Sequence, residues 1–344
     1  MIAAPSLDAP ARQASAQSPS AGSSTRQAAI VALRAALSQA IVGQDLLLDR
    51  MVIALLTGGH LLVEGVPGLA KTSAIKALAQ AVHATFQRVQ FTPDLLPGDL
   101  TGSDVYMPAE GKSRFVAGPL FHDIILADEI NRTPAKVQSA LLEAMQERQI
   151  TVGGQTYMLP GMFFVMATQN PLEHSGTYPL PEAQLDRFLL HVVLDYPSAE
   201  QERMILDMDL AKAGDTLAGA ASMPVVDAAA VLEARQDVRR VHVAETLRQA
   251  IVDLVRATRH PESRKASLKS MVGAGASPRA ALALAHAAQA LAYLRGRDYV
   301  IPDDLIALAP DVLRHRIVLD LEAELRGLTA DALVQDLLHA SVFF

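Results

Sequence analysis

Cysteine and tryptophan are absent from the 344 residues, and the aromatic residues together make up only 4%. Without a thiol there is no disulfide framework, no cysteine nucleophile and no cysteine-based zinc site. With so few rings there is little to stack nucleic-acid bases, and a net charge of −7 offers their phosphates no bulk attraction. The local basic group Arg256, Arg259, Arg264, Lys265 and Lys269 reads as a solvated loop and helix face, so a nucleic-acid partner is not expected. The histidines are scattered, with no HExxH and no close pair on one helix face, which argues against a histidine metal site. Hydrophobic residues reach 50% through abundant Ala and Leu, yet no uninterrupted apolar run approaches the ~18 residues of a bilayer span. A soluble protein with no membrane span is expected. Residues 1–25, rich in Ala, Ser, Pro and Gln, have neither a charged start nor an apolar stretch. They read as a disordered tail rather than a secretory leader, with the cytoplasm as the default location.

What the chain does contain is a phosphate cradle. Leu61, Leu62 and Val63 form an apolar strand running through Gly65, Val66, Pro67, Gly68, Leu69 and Ala70 to Lys71, Thr72 and Ser73 at the start of a helix. A nucleotide's phosphates need many donors at once, and backbone N–H groups in a tight loop supply them more densely than side chains can. Gly65 and Gly68 allow the bend, and Pro67 limits its freedom. In this pattern Lys71 reaches the β/γ-phosphates and the Thr72 hydroxyl ligates Mg²⁺. Ala70 stands where GxxxxGK[ST] has its last glycine.

Two further strand ends carry complementary chemistry. Ile124–Ala127 is apolar enough to be buried on both faces, and Asp128 and Glu129 follow at its carboxyl end, where open parallel sheets bind ligands. Asp128 is the candidate Mg²⁺ holder and Glu129 the group that orients and polarises the attacking water. A third strand, Met162–Ala167, leads to Asn170, whose amide can hydrogen-bond both a γ-phosphate and that water.

The runs GVPGLAKT, ILADEINRTPAKVQSALLEAMQE, ATQNP, LPEAQLDRF and GASPRA, in this order, resemble the MoxR family of AAA+ ATPases from about Ile41 to Leu319. The family carries Ala before the phosphate-binding lysine, so Ala70 fits. The resemblance implies an α/β fold, a P-loop NTPase (AAA+) three-layer core with a parallel sheet, followed by an all-helical lid domain. It matches Ile41, Val42, Gly43 and Gln44 to the segment packing on adenine, Arg187 to an arginine finger acting on the adjacent subunit, and Arg279 to sensor 2. Ser277 suits an N-cap and Pro278 a first helical position, placing Arg279 in a helix's first turn. ATP and Mg²⁺ are the implied cofactors. A homo-oligomer, as a hexameric ring, is the implied assembly, and a von Willebrand A domain protein is the implied client class.

The expected organisation is a tail at 1–25, an α/β ATPase core at 26–198, a linker at 199–224 and a lid at 225–344. Core strands are expected near 61–64, 86–90, 124–128, 162–167 and 189–194, after two helices between Arg26 and Leu56. Residues 91–120 hold many Pro and Gly and favour a long irregular loop, which the family would use as an insertion toward the ring pore. Thr133 is the expected cap of a helix with Pro134 at its first position, and Gly153-Gly154 signals a two-residue hairpin. Lid helices are expected near 228–236, 243–259, 278–294 and 303–315. The functional expectation is Mg²⁺-dependent ATP hydrolysis coupled to remodelling or activation of a partner protein. The alternatives are an MCM-like nucleic-acid motor, which the negative charge disfavours, and a nucleotide-gated module with little hydrolysis, which the intact Asp128-Glu129 pair disfavours.

Overall fold

The computed structural model describes residues 21–109, 111–171, 176–214 and 226–340. Residues 1–20 of the expected tail lie outside the described residues, but 21–25 already belong to a helix. That helix, α1 (Ala21–Ala40), is followed by α2 (Asp45–Thr57), and the two are separated at Gly43. The glycine's φ of 78° is left-handed, which turns the chain sharply there. Next come β1 (Leu61–Glu64), α3 (Lys71–Ala81) and β2 (Phe86–Gln90). A short helix α4 (Pro97–Thr101) then precedes a hairpin of β3 (Gly102–Met107) and β4 (Lys112–Ala117). The core continues through β5 (Ile124–Asp128), α5 (Ala135–Glu147), β6 (Gln149–Val152), β7 (Gln155–Met158) and β8 (Phe164–Gln169), and closes with α6 (Glu182–Leu185) and β9 (Leu190–Val193). Helix α7 (Ala199–Gly214) occupies the first part of the expected linker, and 215–224 lie outside the described residues.

Five strands pair in parallel in the order β2-β5-β8-β1-β9. Strand side chains alternate between faces, so each strand feeds two cores. Leu61, Val63, Leu126, Met166 and Val192 pack with Ile75 and Leu78 of α3 on one face. Leu62, Ile125, Ala127 and Val165 pack with Val137, Leu141 and Met145 of α5 on the other. Together these make the expected three layers. The β8 strand begins two residues later than expected, because Phe163 N–H closes a turn onto the Pro160 carbonyl at 3.0 Å. His60, just before β1, is buried and neutral, its pKa pushed down to about 3 by desolvation. Its Nδ1 accepts from Val165 N–H at 3.1 Å and its Nε2 faces the Met145 carbonyl at 3.2 Å, which ties the sheet to α5.

Residues 91–120 correct the expectation of an irregular loop. Their glycines form the neck of the β3–β4 hairpin, where backbones meet too closely for a side chain. A Cβ on Gly102 would lie 2.2 Å from the Val116 carbonyl oxygen, and one on Gly118 2.3 Å from that of Leu100. The Gly153-Gly154 hairpin forms as expected, with φ of 58° and 81° at its two turn residues. The two hairpins pack together through Phe115 stacked on Tyr157, centroids 4.1 Å apart. Thr133 does not cap α5: Pro134 occupies the cap position with no side-chain bond, and Thr133 is buried. The loop is held by Gln138, whose amide donates to the carbonyls of Ile130, Thr133 and Tyr178 at 3.2, 3.1 and 2.9 Å.

The lid contains α8 (Ala228–Val238), α9 (Glu245–Ala257), β10 (Val272–Ala274), α10 (Pro278–Leu294), α11 (Pro302–Leu313), β11 (Val318–Leu319), α12 (Leu321–Leu325) and α13 (Ala330–His339). It is helical apart from the β10–β11 ribbon. No described helix is long and apolar enough to cross a membrane. Two carboxylates, Asp311 buried and Asp186 half-buried, join lid to core. Asp311 on α11 accepts from Arg50 of α2 at 2.6 Å and from Arg314 at 2.6 Å, while Arg50 also donates to the Ala307 carbonyl at 2.6 Å. Asp186 accepts from Arg316 at 2.7 Å. Removing one partner of a buried pair strands the other charge, so Asp311→Ala should cost ~3–5 kcal/mol. Asp311→Asn, which keeps an acceptor, should cost less. Urea unfolding followed by far-UV circular dichroism checks both.

Candidate active site

The turn after β1 adopts the geometry a bound polyanion needs. Gly68 has φ of 90° and open space where a Cβ would stand, while Gly65 is packed, with a Cβ there only 3.2 Å from the Leu194 carbonyl oxygen. Ala70 caps α3 with φ of 54°, so the position requires left-handed backbone, which explains the usual preference for glycine. No side chain caps α3. Its first-turn amides therefore face the loop with the positive end of the helix dipole. Lys71 Nζ donates to the Gly65 carbonyl at 2.6 Å, which folds the lysine back over the turn. Burial pushes its pKa down, and the nearby Asp128 and Glu129 carboxylates push it back up.

Strand order brings the other groups to the same place. The tips of β5 and β8 lie beside β1, and a cavity of 400 Å³ opens over them. It is lined by Gly65, Pro67, Gly68, Leu69, Ala70, Lys71, Thr72, Ser73, Arg88, Asp128, Glu129, Thr168, Gln169 and Asn170. Thr168 braces both carboxylate residues. Its hydroxyl donates to Asp128 Oδ1 at 2.6 Å and accepts the Glu129 N–H at 2.9 Å. That second bond holds Glu129 at φ 58°, an uncommon conformation for a residue with a side chain. The Glu129 carboxylate accepts from Gln90 at 2.6 Å and pairs with Arg132 at 3.2 Å. The hydroxyl of Thr72 and the carboxylate of Asp128 form an all-oxygen donor set, which suits a hard divalent cation.

Thr168, Arg88 and Gln90 were not singled out from the sequence. A signal for the last two exists: β2, an edge strand of the parallel sheet, reads Phe-Gln-Arg-Val-Gln, with polar residues at 88 and 90 on one face. The register pairs Gln90 with Asp128, so Arg88 and Gln90 share the face of that carboxylate.

The structure does not bring every expected residue to this cavity. Val66 packs against the hydrophobic core below it. Ile41 and Gln44 are buried, and Gly43 lies under Gln201 of α7, whose Cβ would be 3.4 Å from a Cβ on the glycine. Arg279 is absent from the lining: its guanidinium lies 3.8 Å from Asp186. The Ser277 hydroxyl caps α10, accepting the Arg279 N–H at 3.2 Å, and donates to Asp186 at 3.1 Å. Arg187, the next residue along from Asp186, is likewise away from the cavity, and its guanidinium makes no ion pair with a described residue. So two arginines stand together at one edge and the phosphate cradle stands elsewhere. A larger cleft of 640 Å³ between core and lid is lined by Glu64, His191, Arg314 and Asp331 among others, and meets the first cavity at Gln169 and Asn170. There His191 hydrogen-bonds Glu64 at 3.1 Å and holds its carboxyl below the usual range.

Comparison with known proteins decides the family. A family model described as the ATPase family associated with various cellular activities (AAA) matches residues 60–190, and an AAA lid domain model matches 264–337. Chaperone MoxR1 of Mycobacterium tuberculosis is 49% identical over 284 residues, covering 82% of this chain and 74% of that protein. The chain belongs to the MoxR family of AAA+ ATPases. The protein named MoxR from Paracoccus denitrificans is 32% identical over 89% of this chain and 93% of its own length. YeaC of Bacillus subtilis is 44% identical over 88% and 91%. A crystal structure from Cytophaga hutchinsonii superposes with a TM-score of 0.86 at 42% identity, covering 94% of this chain and 97% of that one.

Within this MoxR-type site the Thr168 hydroxyl is the one group bonded to both carboxylate residues. Thr168→Val keeps the shape and removes those two bonds, which leaves a buried acceptor and donor unpaired at a cost of ~1–3 kcal/mol. The variant should unfold at lower urea concentration and bind Mg²⁺-nucleotide more weakly than wild type, measured by denaturation and by fluorescent-nucleotide titration.

Proposed function

We propose that the protein is a Mg²⁺-dependent ATPase that works in a ring, with a hexamer as its assembly, and uses ATP turnover to remodel or activate a client protein. The observation that carries this reading is the convergence of Lys71, Thr72, Asp128, Glu129 and Asn170 on one cavity. Lys71 neutralises β/γ-phosphate charge, and the open backbone around Gly68 admits the phosphates to the amides of the turn. Mg²⁺ held by Thr72 and Asp128 would supply further charge neutralisation across the phosphates. Glu129 orients the attacking water and accepts its proton, and Asn170 positions that water against the terminal phosphate. Ile41, Val42, Gly43 and Gln44 are assigned to the adenine.

Arg187 is assigned as the arginine finger for the neighbouring subunit's nucleotide, and Arg279 as sensor 2 on the lid. Supporting this are the guanidinium of Arg187, which makes no ion pair with a described residue, and that of Arg279, 3.8 Å from the adjacent Asp186, neither lining the chain's own cavity. The client assignment rests on the similarity to Chaperone MoxR1. A von Willebrand A domain protein is the proposed client class.

Lys71 acts on phosphate charge before and during reaction, whereas Glu129 acts mainly on the water. Lys71→Ala should lose ATP affinity, while Glu129→Gln should keep it and lose most hydrolysis, read by fluorescent-nucleotide titration and phosphate release. Equal loss of binding in both variants counts against these roles.

If the finger works across subunits, Arg187→Ala and Glu129→Gln proteins should each be inactive, yet regain turnover when mixed. Some mixed interfaces then join an intact Glu129 to an intact Arg187. A finger contributes ~10³-fold or more in rate, so a minority of repaired sites should stand above background in a phosphate-release assay. Near-normal turnover by a verified ring of Arg187→Ala protein would remove the finger from the mechanism.

A further inference from the structure

The carboxylate proposed to hold the metal already has a cationic partner. Arg88, on β2, donates to Asp128 Oδ2 from Nη2 at 2.6 Å and from Nε at 3.1 Å. The same Nη2 donates to Gln90 Oε1 at 3.0 Å, and Gln90 Nε2 donates to Glu129 Oε2 at 2.6 Å. One continuous chain of hydrogen bonds, Asp128–Arg88–Gln90–Glu129, thus joins the metal-side carboxylate to the water-side carboxylate. Its two bridging residues, Arg88 and Gln90, come from β2, and Arg88, Asp128 and Glu129 line the phosphate cavity.

The Asp128 oxygen that accepts two guanidinium bonds presents its lone pairs to Arg88 and is closed to a dication. A hydrated dication held by Asp128 through its water shell needs the same lone pairs, so it competes with Arg88 for that oxygen. Leaving is easy, since the Arg88 side chain is 49% exposed and an exposed ion pair of this kind contributes little. The released guanidinium still lines a cavity shaped for phosphate, the anion whose geometry its planar fork matches best.

Resting on the ATPase reading of this site, we propose that Arg88 exchanges partners. It holds Asp128 before nucleotide binds and moves to the terminal phosphate of a Mg²⁺-bound nucleoside triphosphate, acting as a phosphate-sensing residue within its own subunit. A diphosphate lacks the group that receives Arg88 and leaves the guanidinium competing with the metal for Asp128.

The proposal predicts a change in discrimination that structural damage would not produce. The probes are fluorescent ADP and a fluorescent, non-hydrolysable ATP analogue, titrated at equilibrium with excess Mg²⁺ and again with EDTA. In Arg88→Ala, Mg²⁺-ADP affinity should hold or tighten because Asp128 has lost its competitor. Affinity for the Mg²⁺-triphosphate should fall, so the preference for triphosphate over diphosphate drops about tenfold or more. Arg88→Lys, which keeps the charge but not the fork, should restore part of that preference. Retained ADP binding shows that the cavity is intact in both variants. An unchanged preference in Arg88→Ala, or a uniform loss of both nucleotides with Lys71→Ala still behaving as expected, overturns the exchange alone. Wild-type protein that binds neither nucleotide, or binds them as well after Lys71→Ala, overturns the ATPase reading beneath it.

Discussion

Two carboxylates at the end of one strand, Asp128 and Glu129, face a cavity whose shape suits a polyanion, and this conflict of charge organises everything around it. Two like charges at adjacent positions repel each other, so each carboxylate gains from a cationic partner. Arg88 meets Asp128, Arg132 meets Glu129, and Lys71 turns onto the Gly65 carbonyl. Burial alone would push the Lys71 ammonium toward neutrality, and the two carboxylates counter that push. The same pair of negative charges that would repel a nucleotide therefore favours the charged form of Lys71. The geometry is set by the parallel sheet, which places the tips of β5, β8 and β1 side by side, and by one hydroxyl, that of Thr168, spanning the first two.

A second carboxylate plays the corresponding part at the other edge. Asp186 accepts from Arg316 and Ser277 and lies within ion-pair reach of Arg279, all three from the lid, while its next neighbour in sequence is Arg187. Asp311, clamped between Arg50 and Arg314, fixes the opposite side of the same contact. The lid is tied to the core by buried charge pairs whose loss is costly, not only by apolar packing.

The parts of the molecule legible in sequence are those whose physics is local. An apolar run ending in Asp-Glu, a Gly-Gly pair between alternating residues, and Ser-Pro ahead of an apolar stripe each formed what they signalled: β5, the β6–β7 hairpin and α10. Where the signal was non-local the reading stopped short. Glycine and proline between 91 and 120 look like loop punctuation, because nothing local says that Gly102 and Gly118 will face each other across a hairpin neck. Thr133 has the right residue type for a cap, but α5 starts at Ala135 with Pro134 in the cap position, one residue beyond it. Helix α13 had a readable start, since Thr329 accepts the Ala332 N–H at 3.1 Å, yet its apolar face is short. In the site, the phosphate turn and both carboxylates could be named from the chain alone. Arg88 and Gln90 could not, because their meaning depends on which strand lies beside β5.

Ala70 shows how a departure from a general motif can be physically consistent. A residue with a side chain at φ 54° costs ~1–2 kcal/mol relative to ordinary backbone, which is why glycine is the usual occupant. Here, however, the methyl group is partly buried against the core formed by α1, α2 and α3. Burying one such group returns ~0.8 kcal/mol, and alanine also has less backbone freedom to lose on folding than glycine. The two effects roughly cancel the strain, so the left-handed turn that aims the amides of α3 at the cavity can be held with alanine in place. What the motif requires at this position is a backbone angle, and the glycine of the general pattern is only one way to satisfy it.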